Sequence, residues 1–420
     1  VEPVSVLRGK RILLGVTGGI SVYKVCTLAS HLTQMGAEVD VVMTEAATRF
    51  VAPLTFEALT GRPAYTDMWR TGGQGLPTHI AHVGLAHAAD LLVIAPATAN
   101  TMAKLAHGLA DNLLSTLALA ATCPVLLAPA MDAGMWSHPA TQANVAALRA
   151  RGVYFAGPVR GRMASGLEGE GRMMEPEEIL GHVRLVLGRS GPLAGKHVVV
   201  TAGPTREHLD PVRFISNPSS GKQGFALAQA ALDRGATVTL ITGPVSPSHP
   251  VGARRVDVVT VQEMLDAVLE ATADADALLM AAAVGDYRPA TVSSHKIKKT
   301  ADLTLRLERT PDILAAVAER RRTTGHPRVV VGFAAESQDL LENARAKLEA
   351  KGLDLIAAND ITAADAGFAA ETNRVVLLDR NGGVEELPLM SKAAVAEAIL
   401  DRVARRLSAS GGTNDSTGGV

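Results

Sequence analysis

A doubly wound α/β fold, built twice along one chain, is the architecture this sequence predicts, and three observations predict it. Short apolar runs bounded by glycine or proline alternate with longer helical patterns, as parallel strands buried on both faces do. The alternation is interrupted at GRSGPLAGK, residues 188–196, and a fresh strand with its own glycine turn follows at once. With 420 residues, 47% of them hydrophobic, the chain can fill more than one core.

Taken in order, the first-half strands are RILLGV, EVDVVM, DLLVIAP and CPVLLAPAM. In the second half they are KHVVVTAGPT, ATVTLITGP, DALLMAAAV, RVVVGFAAE and LDLIAAND, with helices such as FALAQAALDRG and LLENARAKLEAKG between them. The boundary falls after residue 188, giving domains 1–188 and 189–408, the second an α/β domain of its own and not a repeat of the first. The polar end, residues 409–420, is expected to be a disordered tail.

Composition narrows the function. A formal net charge of −1, with acids and bases interspersed, provides no broad footprint for nucleic acid or an anionic membrane, so any anionic ligand must be held locally. Cys26 and Cys123 are too few for a disulfide framework or a cysteine zinc site, and they fit a reducing compartment. The apolar run in VEPVSVLRGKRILLGV is too short to span a membrane and reads as a first strand, so the expected location is the cytoplasm.

In the first half, RILLGV runs into Thr17, Gly18, Gly19, Ile20 and Ser21 and then a helix. A phosphate at such a helix N-terminus gains roughly 0.3–1 kcal/mol from the dipole, plus hydrogen bonds. An isolated GG is more often a plain strand-to-helix turn. The full GxGxxG fingerprint is missing, which points to a mononucleotide rather than a dinucleotide. Small polar residues recur at later strand ends: Thr44, then Thr98 and Asn100 after Pro96, then Asp132 after Pro129, Ala130 and Met131. Ligands of open α/β sheets bind outside the carboxyl ends of the strands.

The motifs GVTGGISVYK, MTEAATRFV, APATANTMAKLAHGLADNLLS and APAMDAGMWSHPATQ resemble the homo-oligomeric flavin-containing cysteine decarboxylase family, over nearly all of residues 10–180. The resemblance implies FMN, bound through Gly18, Ser21, Thr44, Thr98, Asn100 and Met131. It also implies a catalytic histidine in a pattern like HxxLxxxAD, which HVGLAHAAD supplies as His82, while His79 and His87 lie in the wrong register. Two positions depart from the family. Its PAMN motif reads PAMD, placing Asp132 where an amide would hold the substrate carboxylate. Repulsion between the two charges at about 4 Å is roughly 4 kcal/mol at an effective dielectric of 20, so Asp132 is expected to be protonated or turned to a donor when substrate binds. The flap GRMASGLEGEGRM carries Ser165 where many members have a cysteine proton donor, and serine is a poor acid at neutral pH. The implied chemistry is oxidation of a cysteine moiety to a thioaldehyde, loss of carbon dioxide into that electron sink, and return of the electrons.

In the second half, Ser219, Ser220, Gly221 and Lys222 open a helix; alone they are ordinary capping residues without Walker spacing. Together with MAAAVGDYRP, the basic run His295 to Lys299, RTPDILAAV and VGFAAES, they resemble the phosphopantothenate–cysteine ligase family across residues 194–407. The resemblance implies activation of a carboxylate by CMP transfer from CTP, with Mg²⁺ and release of pyrophosphate, before cysteine attacks. It assigns Lys296 to the triphosphate and Asn217 to breakdown of the acyl-cytidylate. Met280, Ala281, Ala282, Asp286, Pro311, Asp312, Ile313, Leu314, Phe333, Lys347 and Lys351 are assigned to the nucleotide. Taken alone, the basic run reads as a solvated loop, and Lys347 with Lys351 as an ordinary i,i+4 helix face.

The two resemblances, in this order, imply a bifunctional enzyme of coenzyme A biosynthesis that ligates cysteine to 4'-phosphopantothenate and then decarboxylates the product. Family assembly through flavin-domain trimers and ligase-domain dimers implies a homo-oligomer, a dodecamer. The alternatives are a peptidyl-cysteine decarboxylase, which has no use for a CTP domain, and a non-catalytic flavin-fold regulatory subunit, against which His82 counts.

Overall fold

A computed structural model describes residues 2–71, 75–76, 81–162, 166, 168–246, 248–299, 303–336, 338–360 and 370–409. The chain divides into two compact units, Val1–Gly188 and Arg189–Val420.

Unit 1 is built on a six-stranded parallel sheet. Its strands in chain order are β1 (Arg11–Val16), β2 (Glu38–Met43), β3 (Ala64–Tyr65), β4 (Leu91–Ala97), β5 (Val125–Pro129) and β6 (Tyr154–Phe155). Their spatial order is β3-β2-β1-β4-β5-β6, so the winding reverses between β1 and β4. Both faces are covered, which explains the unbroken apolar runs: Ile12 and Leu14 point into one buried cluster while Leu13, between them, points into the other. Helices α1 (Val22–Gln34), α2 (Glu45–Thr48), α3 (Ala81–Ala88), α4 (Ala99–His107), α5 (Ala133–Ser137) and α6 (Pro176–Gly188) position the site. The expected flap is an antiparallel hairpin, β7 (Val159–Arg162) with β8 (Glu168–Arg172). Ser165 lies outside the described residues.

Unit 2 contains an eight-stranded sheet. Its strands are β9 (His197–Ala202), β10 (Thr237–Thr242), β11 (Arg254–Asp257), β12 (Ala277–Met280), β13 (Val329–Glu336), β14 (Leu355–Asp360), β15 (Val376–Asp379) and β16 (Val384–Glu386). The order is β11-β10-β9-β12-β13-β14-β15-β16, parallel as far as β14, with β15 and β16 antiparallel at one edge. The six parallel strands thus repeat the order of unit 1, a recurrence the dissimilar sequences of the halves conceal. Helices α8 (Val261–Ala271), α9 (Ile313–Thr324) and α10 (Leu340–Ala350) share one buried cluster with Val199, Ile241, Leu278, Val330 and Ile356. On the opposite face, α7 (Lys222–Leu232) packs on β9, β10 and α11 (Lys392–Ala409). Helix α11 runs to Ala409, one residue into the expected tail, and residues 410–420 lie outside the described residues.

Candidate functional sites

In unit 1 the reversal between β1 and β4 is laced by a residue that sequence reasoning passed over. Thr17 is buried, its hydroxyl donates to the Pro96 carbonyl, and it accepts from the Thr98 N–H at 3.3 Å. This clasp holds two strand ends side by side, at the place where open sheets bind ligands. Gly18 is required there for packing, since a Cβ would lie 2.5 Å from the Ala46 Cβ and 2.9 Å from the Ala46 carbonyl carbon. Its lack of a side chain therefore admits α2.

Ser21 precedes α1 and its hydroxyl caps nothing, which leaves it available to a ligand. Thr44 and Thr98 each cap a helix, accepting from the Ala47 and Thr101 N–H groups at 3.3 Å. Thr98 also donates to the Thr101 hydroxyl at 3.1 Å, so it retains a lone pair, whereas Thr44 retains its proton. Asn100 is exposed in the first turn of α4.

Met131 and Asp132 lie under the flap. The Met131 N–H donates to the Gly171 carbonyl at 2.9 Å, and a Cβ on Gly171 would lie 2.4 Å from the Met131 oxygen. The Asp132 carboxylate caps α5, accepting from Gly134 N–H at 2.9 Å. Asparagine and aspartate cap equally well, so the PAMD spelling leaves local structure intact. His82 sits in the first turn of α3, half-buried, and its Nδ1 is buried without a hydrogen-bond partner. It shares no hydrogen bond with the other expected flavin residues.

Unit 2 repeats the clasp. Thr201 is fully buried in β9 and accepts from the Ala282 N–H, beyond the end of β12, at 3.1 Å. Beyond it, the Gly285 N–H donates to the Thr205 hydroxyl at 2.9 Å and the Thr310 hydroxyl donates to the Gly285 carbonyl at 2.6 Å. These bonds fix the loop that carries Asp286, whose exposed carboxylate makes no bond among the described residues. Asn217 donates to the Val284 carbonyl at 3.0 Å, across the same strand ends.

Around this reversal lies a cavity of about 990 Å³. Asn217 and every residue expected at the nucleotide except Lys296 line it, from Met280, Ala281 and Ala282 through Asp286, Pro311, Asp312, Ile313 and Leu314 to Phe333, Lys347 and Lys351. Lys351 is paired with Asp312, which also caps α9 through the Ala315 N–H at 3.0 Å. Burial would raise the Asp312 carboxyl, but the Lys351 ammonium and the backbone donors outweigh it and hold it below its ordinary range. Lys347 donates to the Phe333 carbonyl at 3.1 Å. The i,i+4 lysine pair thus faces the cavity wall rather than solvent alone.

Lys296 is exposed and outside the cavity lining. Its loop is moored one residue on, where the Ile297 N–H donates to Asp210 at 3.1 Å and the Ile297 carbonyl accepts from Arg213 at 2.6 Å. Burial would raise the Asp210 carboxyl, yet the backbone donors of Val212, Arg213 and Ile297, with the Arg213 guanidinium, hold it below its usual range. Lys392, Asn373 and Asn359 also line the cavity, and sequence reasoning missed them because no motif surrounds them.

Among the described residues no cluster of three or more His, Cys, Asp or Glu side chains could hold a metal, and no helix is long and apolar enough to cross a membrane.

Comparison with known proteins follows the same division. Residues 2–187 match the family described as Flavoprotein, and residues 193–407 match the DNA/pantothenate metabolism flavoprotein C-terminal domain. The chain is 48% identical over 402 residues to the Coenzyme A biosynthesis bifunctional protein CoaBC of Bacillus subtilis, covering 95% of this chain and 97% of that one. It is 45% identical over 407 residues to the protein of the same name from Mycobacterium tuberculosis, covering 94% and 96%. Among solved structures, the C-terminal domain of a Coenzyme A biosynthesis bifunctional protein CoaBC is 39% identical, with a TM-score of 0.45, covering 52% of this chain and 100% of that one.

Proposed function

The chain belongs to the family of bifunctional coenzyme A biosynthesis proteins, and from that premise we propose how its two units divide the work. Unit 2 ligates cysteine to 4'-phosphopantothenate at the expense of CTP, and unit 1 decarboxylates the phosphopantothenoylcysteine to 4'-phosphopantetheine. The observation that carries the reading is the cavity of about 990 Å³ at the strand reversal of unit 2, lined by residues that the ligase motifs assign to nucleotide.

In unit 2, Met280, Ala281, Ala282 and Phe333 form the wall for the base and ribose, and Lys347 and Lys351 bring positive charge to it. Asn217 bridges to the strand-end loop, where the pantothenate carboxylate and the CTP α-phosphate meet. Asp286, whose exposed carboxylate makes no bond among the described residues, would hold Mg²⁺, which would help neutralise the triphosphate charge. Lys296 brings its charge to the triphosphate and stabilises the charge that grows as pyrophosphate leaves.

In unit 1 the residues fit FMN. The unbonded Ser21 hydroxyl at the mouth of α1, the Thr44 proton and Asn100 supply donors and acceptors at the carboxyl ends of β1, β2 and β4. FMN supplies the two-electron chemistry when bound. His82, whose buried Nδ1 awaits a partner, exchanges a proton with the substrate thiol region. Asp132 meets the substrate carboxylate protonated or through an intervening donor, and Ser165 in the flap is a weaker acid than the family's cysteine. Exposed apolar residues such as Ile20, Tyr23 and Leu54 in unit 1, and Phe214 and Tyr287 in unit 2, support homo-oligomerisation, for which we propose trimers of unit 1 joined by dimers of unit 2. The enzyme works in the cytoplasm.

Lys296→Gln tests the division of labour. Pyrophosphate release should slow at least about a hundredfold, the cost of one charge-assisted contact to a transition state. The same preparation should decarboxylate added phosphopantothenoylcysteine at close to the wild-type rate. Unchanged ligation would remove Lys296 from the mechanism, and joint failure in an intact oligomer would refute separate sites.

A further inference from the structure

Strand β8 is fastened to the rest of unit 1 by an ion bridge that no motif marks. Across the hairpin, Arg160 faces Glu170 and Arg162 faces Glu168, and all four are exposed. The opposite face of the two strands carries Val159, Gly161 and Gly169, all half-buried, so it offers unit 1 little but backbone.

Where β8 ends, two contacts secure it. Gly171 lies against Met131, whose N–H donates to its carbonyl at 2.9 Å, and any side chain at Gly171 would close that approach. One residue on, Arg172 pairs with Glu175, and the same carboxylate oxygen of Glu175 accepts from Lys24 Nζ of α1 at 2.8 Å. The Lys24 side chain is 12% exposed, so its ammonium is committed to this bridge rather than to solvent. Beneath the bridge Met173 is buried in one apolar cluster with Val22 and Val25 of α1 and Ile179 and Val183 of α6.

Glu175 stands on a fixed base. Its carbonyl accepts from the Ile179 N–H at 3.1 Å, and its own N–H donates to the Glu178 carboxylate at 3.1 Å. The Lys24 hydrogen bond holds the Glu175 carboxyl below its ordinary range against the opposing effect of burial, helped by the Lys24 and Arg172 charges. Two cations thus meet the carboxylates of Glu175 and Glu178, and no excess charge remains to recruit an anion. Glu175 and Arg172 are half-exposed, and pairs of that kind contribute little to global stability. What the bridge fixes is place: it ties α1, which opens beside Ser21, to the strand that rests on Met131, next to Asp132.

We propose that Glu175, held by Lys24 and holding Arg172, is a positioning residue of the decarboxylase: it sets β8 against the Met131 and Asp132 turn and so fixes where Asp132 meets the substrate carboxylate. The proposal rests on the decarboxylase reading of unit 1. Lys24 lies in the first turn of α1, near Ser21, so a direct contact of its ammonium with the flavin phosphate is the competing role, and the experiment separates the two.

The FMN-loaded full chain and its Glu175→Gln, Lys24→Met and Lys24→Arg variants are assayed for carbon dioxide release against phosphopantothenoylcysteine concentration. Flavin content is read from absorbance after gel filtration. Glu175→Gln should raise the KM at least about fivefold with kcat within about twofold, because a misplaced binding turn weakens ground and transition states alike. Lys24→Met should do the same, Lys24→Arg should recover most of the loss, and flavin content should not change. In an Asp132→Ala background the Glu175→Gln effect should shrink to within about twofold, since residues that act through one another are not additive. In an Asp132→Asn background, which keeps the α5 cap, it should persist. An unmoved KM in Glu175→Gln overturns the proposal, as does a full effect that survives Asp132→Ala. Flavin loss in Lys24→Met alone would give Lys24 to the flavin phosphate, and a kcat that falls with flavin content in every variant would reduce the bridge to a support of the fold; both overturn it. Wild-type FMN-loaded protein that releases no carbon dioxide would instead refute the decarboxylase reading itself.

Discussion

Replacing Thr201 by valine keeps the shape of a fully buried side chain and removes one acceptor. The Ala282 N–H, 3.1 Å from the Thr201 hydroxyl, then has no protein partner at the wall of the unit 2 cavity. A donor left unsatisfied costs about 1–3 kcal/mol, and the lower part of that range applies because Ala282 is only half-buried and water can reach it. If about 1–2 kcal/mol is lost from the ordered strand end proposed to receive CTP, the KM for CTP should rise roughly 5- to 30-fold. The assay is pyrophosphate release against CTP concentration, with carbon dioxide release from added phosphopantothenoylcysteine measured on the same sample. Decarboxylation should be unchanged, since unit 1 has its own core. A CTP KM equal to wild type, or equal losses in both activities, would refute the assignment of Thr201 as the clasp of the ligase site.

His82→Asn should leave flavin absorbance and pyrophosphate release intact while slowing carbon dioxide release about 10²-fold or more, and a near-normal rate would move the proton transfer elsewhere. Gly18→Ala forces a methyl against Ala46 and should destabilise unit 1 by about 1–3 kcal/mol in urea unfolding, with partial recovery in the Gly18→Ala/Ala46→Gly double variant; absence of that recovery would refute the packing explanation. The Lys351 ammonium and the backbone donors hold the Asp312 carboxyl below its ordinary range, so its pairing contributes stability that is present above the ordinary value and lost as pH falls through the lowered one. The urea stability gap between wild type and Asp312→Asn should therefore be flat above about pH 5, no larger than about 1 kcal/mol given the exposure of the pair, and should close in acid. A gap that widens in acid would contradict the sign.

The fold was legible because both sheets are buried on both faces, and uninterrupted apolar runs such as RILLGV and DLLVIAP carry that signal directly. The equivalence of the strand orders was not, since topology is decided by which strands pair and no local pattern records it. Most residues expected at the nucleotide were picked out by motifs, and unit 2 gathers them around one cavity. Lys296 departs from that group: a basic run specifies charge, while Asp210 and Arg213, far away in sequence, decide where the loop is moored. Thr17 was given no role of its own in the turn it opens, and Thr201 escaped notice because a buried threonine in a strand reads as ordinary β propensity. Lys392 escaped notice because a lysine opening an amphipathic helix reads as a solvated face, and only tertiary packing reveals that it is buried.

The central claim is that one chain carries two consecutive reactions at two separate sites. The most direct measurement supplies 4'-phosphopantothenate, cysteine, CTP and Mg²⁺ to the purified, FMN-loaded protein and follows pyrophosphate and 4'-phosphopantetheine together. The account predicts that both accumulate in equal amounts, that omitting CTP stops both, and that added phosphopantothenoylcysteine then restores 4'-phosphopantetheine without pyrophosphate. Formation of 4'-phosphopantetheine from 4'-phosphopantothenate and cysteine without pyrophosphate, or a lasting need for CTP when phosphopantothenoylcysteine is supplied, would contradict it.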